Sequence, residues 1–319
     1  MALLLRDRDV RSLLDMPSTI DALELAFTAL SHGNAINRPR TRLIQRNGIL
    51  HTFTASYMNA GVLGLKAHTV FRQGARSGVL LYSTEDGRLL ALVEAEWLGR
   101  MRTGATSGLA TKHLAIERAS RVGLIGAGKQ AATQLMAACA VRPIERVLVY
   151  SRQQPACEAF CQQMTAQLGI EIAMASSARA AMEEADIVIT ATTSGEPVFA
   201  GEWIKPGCHL NIIGSNWAKR REVDDDTLQR ANLVVTDSVE QARVEAGDLI
   251  IPASAGNLDW ESVWELADIV AGDGPQRNSS YDITLYKGVG VALADVTVAA
   301  QAYARALERG VGEEVDFLS

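Results

Sequence analysis

The stretch "VGLIGAGKQAATQL" places Gly126, Gly128 and Ala131 in the spacing GxGxxA, directly after an apolar strand and at the opening of a helix. In that context each small residue has a task. Gly126 permits a tight turn, Gly128 lets the backbone approach a pyrophosphate, and Ala131 lets the helix pack closely on the sheet. The helix N-terminus adds free N–H groups and a partial positive charge for the phosphates. About twenty residues further on, an acid would hold the ribose of NAD. Here "VLVYSRQQ" offers Ser151 and Arg152 and no acid. An arginine pairs with the 2′-phosphate of NADP and a serine leaves room for it, so the reading favours NADP(H), with NAD(H) as the other candidate.

A second group of residues is cationic. "NRPRTRL" contributes Arg38, Arg40 and Arg42, at least one of them expected to be a surface charge. In "LGLKAHTVF" a period of two sets Leu63, Leu65, Ala67 and Thr69 on one face of a strand, with Lys66 and His68 on the other. Taken alone, Lys66 is as well explained by a solvated sheet face as by a ligand. "GRMRTGATSGLATKHL" puts Arg102 on a helix rich in small residues. Together these cations could fix an anionic substrate, because arginine grips a carboxylate with a two-pronged fork that lysine lacks. A third stretch, "CHLNIIGSNWAKRREVDDD", ends an apolar strand in Asn216 where an acid or base could act. An amide has no useful pKa for either role. The block Asp224, Asp225 and Asp226 reads as the acidic first turn of a helix rather than as catalytic acids.

These residues need elements to hold them. "MPSTIDALELAFTALSHG" reads as an amphipathic helix capped by Ser18 or Thr19 and ended by Gly33. Residues 40 to 94 hold short strand-like runs, with Asp86 and Gly87 turning a hairpin. A helix from about Glu94 to His113 follows. From Arg121 the pattern changes: "RVGLIG", "RVLVYS", "IEIAM", "DIVITAT", "HLNIIG", "NLVVTD" and "DITLYKG" alternate with helical stretches. That alternation predicts an α/β fold with a Rossmann doubly wound parallel sheet, beside an α+β domain. The expected boundaries are 1–118 for the first domain, completed by a C-terminal helix over 289–319, and 119–288 for the dinucleotide-binding domain.

Composition narrows the partners. The 319 residues suffice for two domains. A net charge of −6 argues against a general nucleic-acid binder, which needs clustered Lys and Arg. "MALLLRDRDV" resembles neither a signal peptide nor an anchor, and no apolar run reaches the roughly 18 residues of a spanning helix, so the expectation is a cytoplasmic protein without a membrane partner. Cys139, Cys157, Cys161 and Cys208 form no CxxC pair and the five histidines are scattered, so neither a disulfide framework nor a metal site is expected.

The motifs combine in a familiar order. "NRPRTRL", "LGLKAHTVF", "GRMRTGATSGLATKHLA", "GLIGAGKQAATQL", "VLVYSR", "DIVITATTS", "IKPGCHLNIIGSN" and "YKGVGVALADV" make the chain resemble the ornithine cyclodeaminase and mu-crystallin family across nearly its whole length. The resemblance implies a homodimer whose first domain, joined by the final helix, binds substrate and partner subunit. It implies that Arg40, Lys66 and Arg102 surround an amino-acid or imino-acid carboxylate and the reacting centre. It further implies cofactor contacts at Gly126, Ala127, Gly128, Lys129, Gln130, Ser151 and Arg152, at Thr192 near the nicotinamide, at Ile213 to Asn216, at Arg220, and at the turn around Gly288. Cyclodeaminases of the family carry an aspartate where this chain has Asn216. The departure favours an NAD(P)H-dependent reductase of a small α-imino acid, such as 1-pyrroline-2-carboxylate or 1-piperideine-2-carboxylate. The alternatives are an amino-acid dehydrogenase or a cyclodeaminase that releases ammonia, and a nicotinamide-binding protein without turnover.

Overall fold

A computed structural model describes residues 1–317 and divides the chain into two compact units, Met1–Ala105 with the segment from Gly290 onward, and Thr106–Val289. The division falls inside the helix Glu96–Leu114, short of the expected residue 118. The helix is continuous, but its halves serve different units: Arg102 reaches Asp295 in the first, while Thr111 accepts a hydrogen bond from Asn211 in the second.

The first unit begins with strands β1 (Ala2–Leu5), β2 (Ala35–Gln45), β3 (Gly48–Tyr57), β4 (Val62–Phe71), β5 (Gly74–Ser83) and β6 (Leu89–Glu94). Strands β2 to β6 run antiparallel in chain order, and β1 pairs parallel to β6. The sequence reading missed β1, because four residues carry too little alternation to register. The helix Met16–Ser31 starts earlier than expected: Asp15 caps it by accepting from Ser18 N at 3.0 Å, with Pro17 in the first turn.

Strand β4 reverses the ordinary sense of its alternation. Lys66 is 5% exposed while Leu63 is 40% exposed, so the lysine face is the buried one. The cover is the helix Ala292–Arg309. Gly64 makes the approach possible, since a Cβ there would lie 2.8 Å from Val296 Cγ2.

The second unit holds β7 (Arg121–Ile125), β8 (Arg146–Tyr150), β9 (Glu171–Met174), β10 (Ile187–Thr190), β11 (His209–Ile212), β12 (Leu233–Thr236), β13 (Val263–Glu265) and β14 (Thr284–Lys287). They form one parallel sheet in the order β13-β12-β14-β11-β10-β7-β8-β9. The expected doubly wound sheet is present, and its added edge strand β13 is only three residues long. Its central strands are buried on both faces, with Leu124, Ile187 and Ile189 fully so, which explains their unbroken apolar runs. Chain order reverses beside β7, where β8 lies on one side and β10 on the other. Ligands of such sheets bind at the carboxyl ends of the strands flanking that reversal. A last strand, β15 (Glu313–Val315), returns to the first unit's sheet and pairs antiparallel with β1, so the C-terminal segment is not helical throughout.

Candidate active site

In the second unit the turn after β7 is shaped by two glycines with different reasons. Gly126 has φ +106°, and a Cβ there would lie 2.5 Å from Ala191 O, so only glycine fits. At Gly128 the nearest atom to a Cβ would be Ala191 O at 4.0 Å, which leaves the backbone open to a ligand. The helix Ala131–Val141 follows with no side chain capping its N-terminus. A cavity of about 580 Å³ opens here, lined by Gly126, Ala127, Gly128, Ser151, Arg152 and Thr192 among others. Open backbone over Gly128, an uncapped helix start and a polar rim at Ser151 and Arg152 fit the pyrophosphate and ribose of a dinucleotide.

The remaining expected cofactor residues are distributed around the same strand ends. Lys129 and Gln130 complete the turn into the helix. Ile213 and Gly288 are brought together: Gly288 N donates to Ile212 O at 3.2 Å, and a Cβ at Gly288 would lie 3.1 Å from Ile213 Cδ1. Arg220 passes Gly195, its Cγ 3.8 Å from where a Cβ would be. Asn216 stands on the loop after β11, outside the lining of the cavity. The acidic block is a helix start, with Asp224 Oδ1 accepting from Thr227 N at 2.9 Å.

Sequence reasoning missed a buried trio in this unit. Glu222, Asp248 and Lys287 are each at most 1% exposed. Lys287 Nζ lies 2.9 Å from Asp248 Oδ2 and donates to Ser215 O at 2.5 Å. Glu222 had been one acid among many in "KRREVDDD", with only its place before a capped helix to mark it.

In the first unit, Lys66, Arg102 and Arg40 do come together, and the residue that gathers two of them is a second omission. Asp295, fully buried in the helix Ala292–Arg309, accepts from Lys66 Nζ at 2.7 Å and from Arg102 Nε at 3.1 Å through a single oxygen. An acid inside "VALADVTVAA" was the available signal, since a carboxylate on an apolar helix face is buried only with partners. Arg40 donates to Gly290 O at 3.1 Å, and its guanidinium stacks 4.7 Å from the Phe53 ring. Gly290 has φ +81°, and a Cβ there would meet Arg102 Nη1 at 2.6 Å.

The electrostatics follow from burial among like charges. Burial pushes the Lys66 ammonium down to about 8; Asp295 opposes the shift, and Arg102 and Arg40 add to it. Asp295 is held below the usual carboxylate range: burial would raise it, but Arg102 and Lys66 outweigh that. His51 and His68, next along the same sheet face, are each pushed down to about 4, by burial first and then by the neighbouring cations. The cluster therefore combines permanent arginine charge with a lysine able to hold or release a proton near neutrality.

Comparison with known proteins finds relatives over nearly the whole chain. Residues 2–310 match the ornithine cyclodeaminase/mu-crystallin family. The chain is 36% identical to a Delta(1)-pyrroline-2-carboxylate reductase of Bacillus cereus, over 99% of this chain and 100% of that one. A Delta(1)-pyrroline-2-carboxylate reductase of Thermococcus litoralis, solved in complex with NADH and L-proline, superposes with a TM-score of 0.94 at 40% identity, covering 98% of this chain and 100% of that one. An archaeal alanine dehydrogenase dimer with bound NAD superposes with a TM-score of 0.93 at 32% identity, covering 99% of both chains. With a family match over residues 2–310 and full-length similarity to these enzymes, the chain belongs to the ornithine cyclodeaminase/mu-crystallin family.

Proposed function

We propose that the protein is an NAD(P)H-dependent reductase of a small cyclic α-imino acid, with 1-pyrroline-2-carboxylate as first candidate and 1-piperideine-2-carboxylate as second. The observation that carries the reading is the buried cluster in which Asp295 holds Lys66 and Arg102 together. Similarity to pyrroline-2-carboxylate reductases supports the substrate class.

Reduced nicotinamide, when bound, supplies a hydride to the imine carbon. The chain's own residues then have separable tasks. Arg40 and Arg102 hold the substrate carboxylate through the two-pronged fork of a guanidinium. Lys66, with its ammonium close to balance with the free amine, orients the nitrogen end of the imine and carries a proton for it. Asn216 can hydrogen-bond but cannot shuttle the protons that ring-closing deamination needs. Gly126 to Gln130, Ser151, Arg152, Thr192, Ile213, Arg220 and Gly288 bind the cofactor. Arg152, with no acid at the end of β8, supports a preference for NADP(H) over NAD(H). The exposed apolar side chains on the outer face of the first unit's sheet support a homodimer, as does the dimeric alanine dehydrogenase.

Purified protein should oxidise NADPH, and NADH with lower kcat/KM, when given either cyclic imine, forming proline or pipecolate. Ammonia release from ornithine, lysine or alanine would identify a deaminating enzyme instead. Tight cofactor binding with no turnover over an imino-acid panel would identify a binding protein.

A further inference from the structure

One carboxylate ties together the two strand ends assigned to the nicotinamide side of the cofactor. Glu222 is fully buried and accepts four hydrogen bonds. Its Oε2 takes Thr190 Oγ1 at 2.7 Å and Gly214 N at 2.6 Å. Its Oε1 takes Thr192 N at 2.8 Å and Thr192 Oγ1 at 2.7 Å. These donors belong to the end of β10 and to the turn leaving β11, which are neighbours in the sheet. Residue 214 must be glycine, because a Cβ would collide with the Glu222 carboxylate and with Thr192 O.

Glu222 is itself fixed from behind. Asp248 Oδ1 accepts Glu222 N at 2.6 Å and Val223 N at 3.2 Å. Lys287, paired with Asp248, grips the turn from its other side through Ser215 O and Ile212 O. Burial pushes the Glu222 carboxyl up, and Lys287 and the threonine hydroxyls pull against that. A glutamine could not replace this acceptor. Whichever way its amide turned, the NH₂ would face a backbone N–H, that of Gly214 or that of Thr192.

We infer that Glu222 is a positioning residue for hydride transfer, clamping the end of β10 to the turn after β11 so that Thr192 and Ile213–Asn216 form one rigid seat for the nicotinamide. The inference rests on the NAD(P)H-reductase reading above. The pyrophosphate and adenosine half of the cofactor is assigned to Gly126–Gln130, Ser151 and Arg152, none of which bonds Glu222. Loss of the clamp should therefore loosen one half of the cofactor and spare the other.

The test compares NADPH with ADP-ribose, which lacks the nicotinamide, in Glu222→Gln and in the milder Thr190→Val, which removes one donor and keeps the volume. In Glu222→Gln, the Kd for ADP-ribose should stay within about twofold while that for NADPH rises about tenfold. Turnover should fall about 100-fold, the scale of a misplacement near 1 Å, and the kinetic isotope effect from 4-deuterated NADPH should rise as hydride transfer becomes limiting. Thr190→Val should move all three in the same direction by less, and decides the matter if Glu222→Gln does not fold. Unchanged turnover and isotope effect in Glu222→Gln overturn the inference, as does weakening of ADP-ribose and NADPH in equal proportion in both variants. If the wild type reduces no imine but the contrast between the two ligands persists, the substrate reading fails and the clamp stands.

Discussion

At the scale of the residue, the proposed chemistry turns on how one carboxylate oxygen treats two cations. Asp295 raises the Lys66 ammonium that burial and two arginines depress, leaving it at about 8 against an ordinary 10.5. Two opposite pH effects follow. Between about 8 and 10.5 the unfolded chain binds more protons at this position than the folded one, so this lysine makes stability grow as pH rises through that window. The protonated lysine is lost over the same range, so kcat/KM for imine reduction should fall tenfold per unit above about pH 8. In Asp295→Asn the supporting charge is gone, and the midpoint of that fall should move to lower pH. Leaving two cations short of a buried partner should also cost about 3–5 kcal/mol of stability. A pH–rate profile with a midpoint unchanged in Asp295→Asn would exclude Lys66 as the titrating group. The cations themselves were visible in the sequence, as was the anomaly of Asn216. Asp295 was not, because nothing near it in the chain records the two partners that make its burial tolerable.

At the scale of the element, glycines set how closely segments approach. Gly64 lets the helix bearing Asp295 lie against β4, with Val296 filling the space where a Cβ would stand. Gly64→Ala should lift that helix, costing about 1–3 kcal/mol through overpacking and lowering kcat/KM although no charged residue has changed. Thermal unfolding and steady-state kinetics on the same preparation would show both effects. Gly126→Ala faces both a positive φ and the Ala191 carbonyl. It should cost about 1–3 kcal/mol of backbone strain and weaken NADPH and ADP-ribose alike, measured by calorimetric titration. That pattern contrasts with the one expected for Glu222. The GxGxxA turn was legible because its strand, turn and helix are contiguous. Gly64 was not, since its reason lies in a helix beginning at Ala292. The same helix explains why β4 buries its lysine face and exposes Leu63: alternation shows that two faces exist, not which one will be covered.

At the scale of the whole molecule, the covered face leaves its opposite exposed. Leu63 and Phe71 on β4 are 40% and 41% exposed, and Leu43 on β2 is 59% exposed. Apolar exposure of this kind on one side of a sheet suits a self-complementary two-fold contact. If the homodimer forms through this face, Leu63→Arg should shift the protein to monomer in sedimentation velocity, while each monomer keeps its affinity for NADPH. A wild-type monomer at micromolar concentration would remove the dimer reading. Among the described residues no helix is long and apolar enough to cross a membrane.

What the sequence determined by itself is the plan: two units, a doubly wound parallel sheet, a GxGxxA turn between strand and helix, a set of candidate cations, and the amide of Asn216 after an apolar strand. Each of these is written in local periodicity, in contiguous motifs, or in their order along the chain. Tertiary structure decided the division within a continuous helix, the return of the chain into β15, and above all the buried acids. Asp295 meets Lys66 and Arg102 across 229 and 193 residues, and Glu222 meets Thr192 across 30. A buried charge is defined by the partners that desolvation forces upon it. Those partners become neighbours only when the chain has folded.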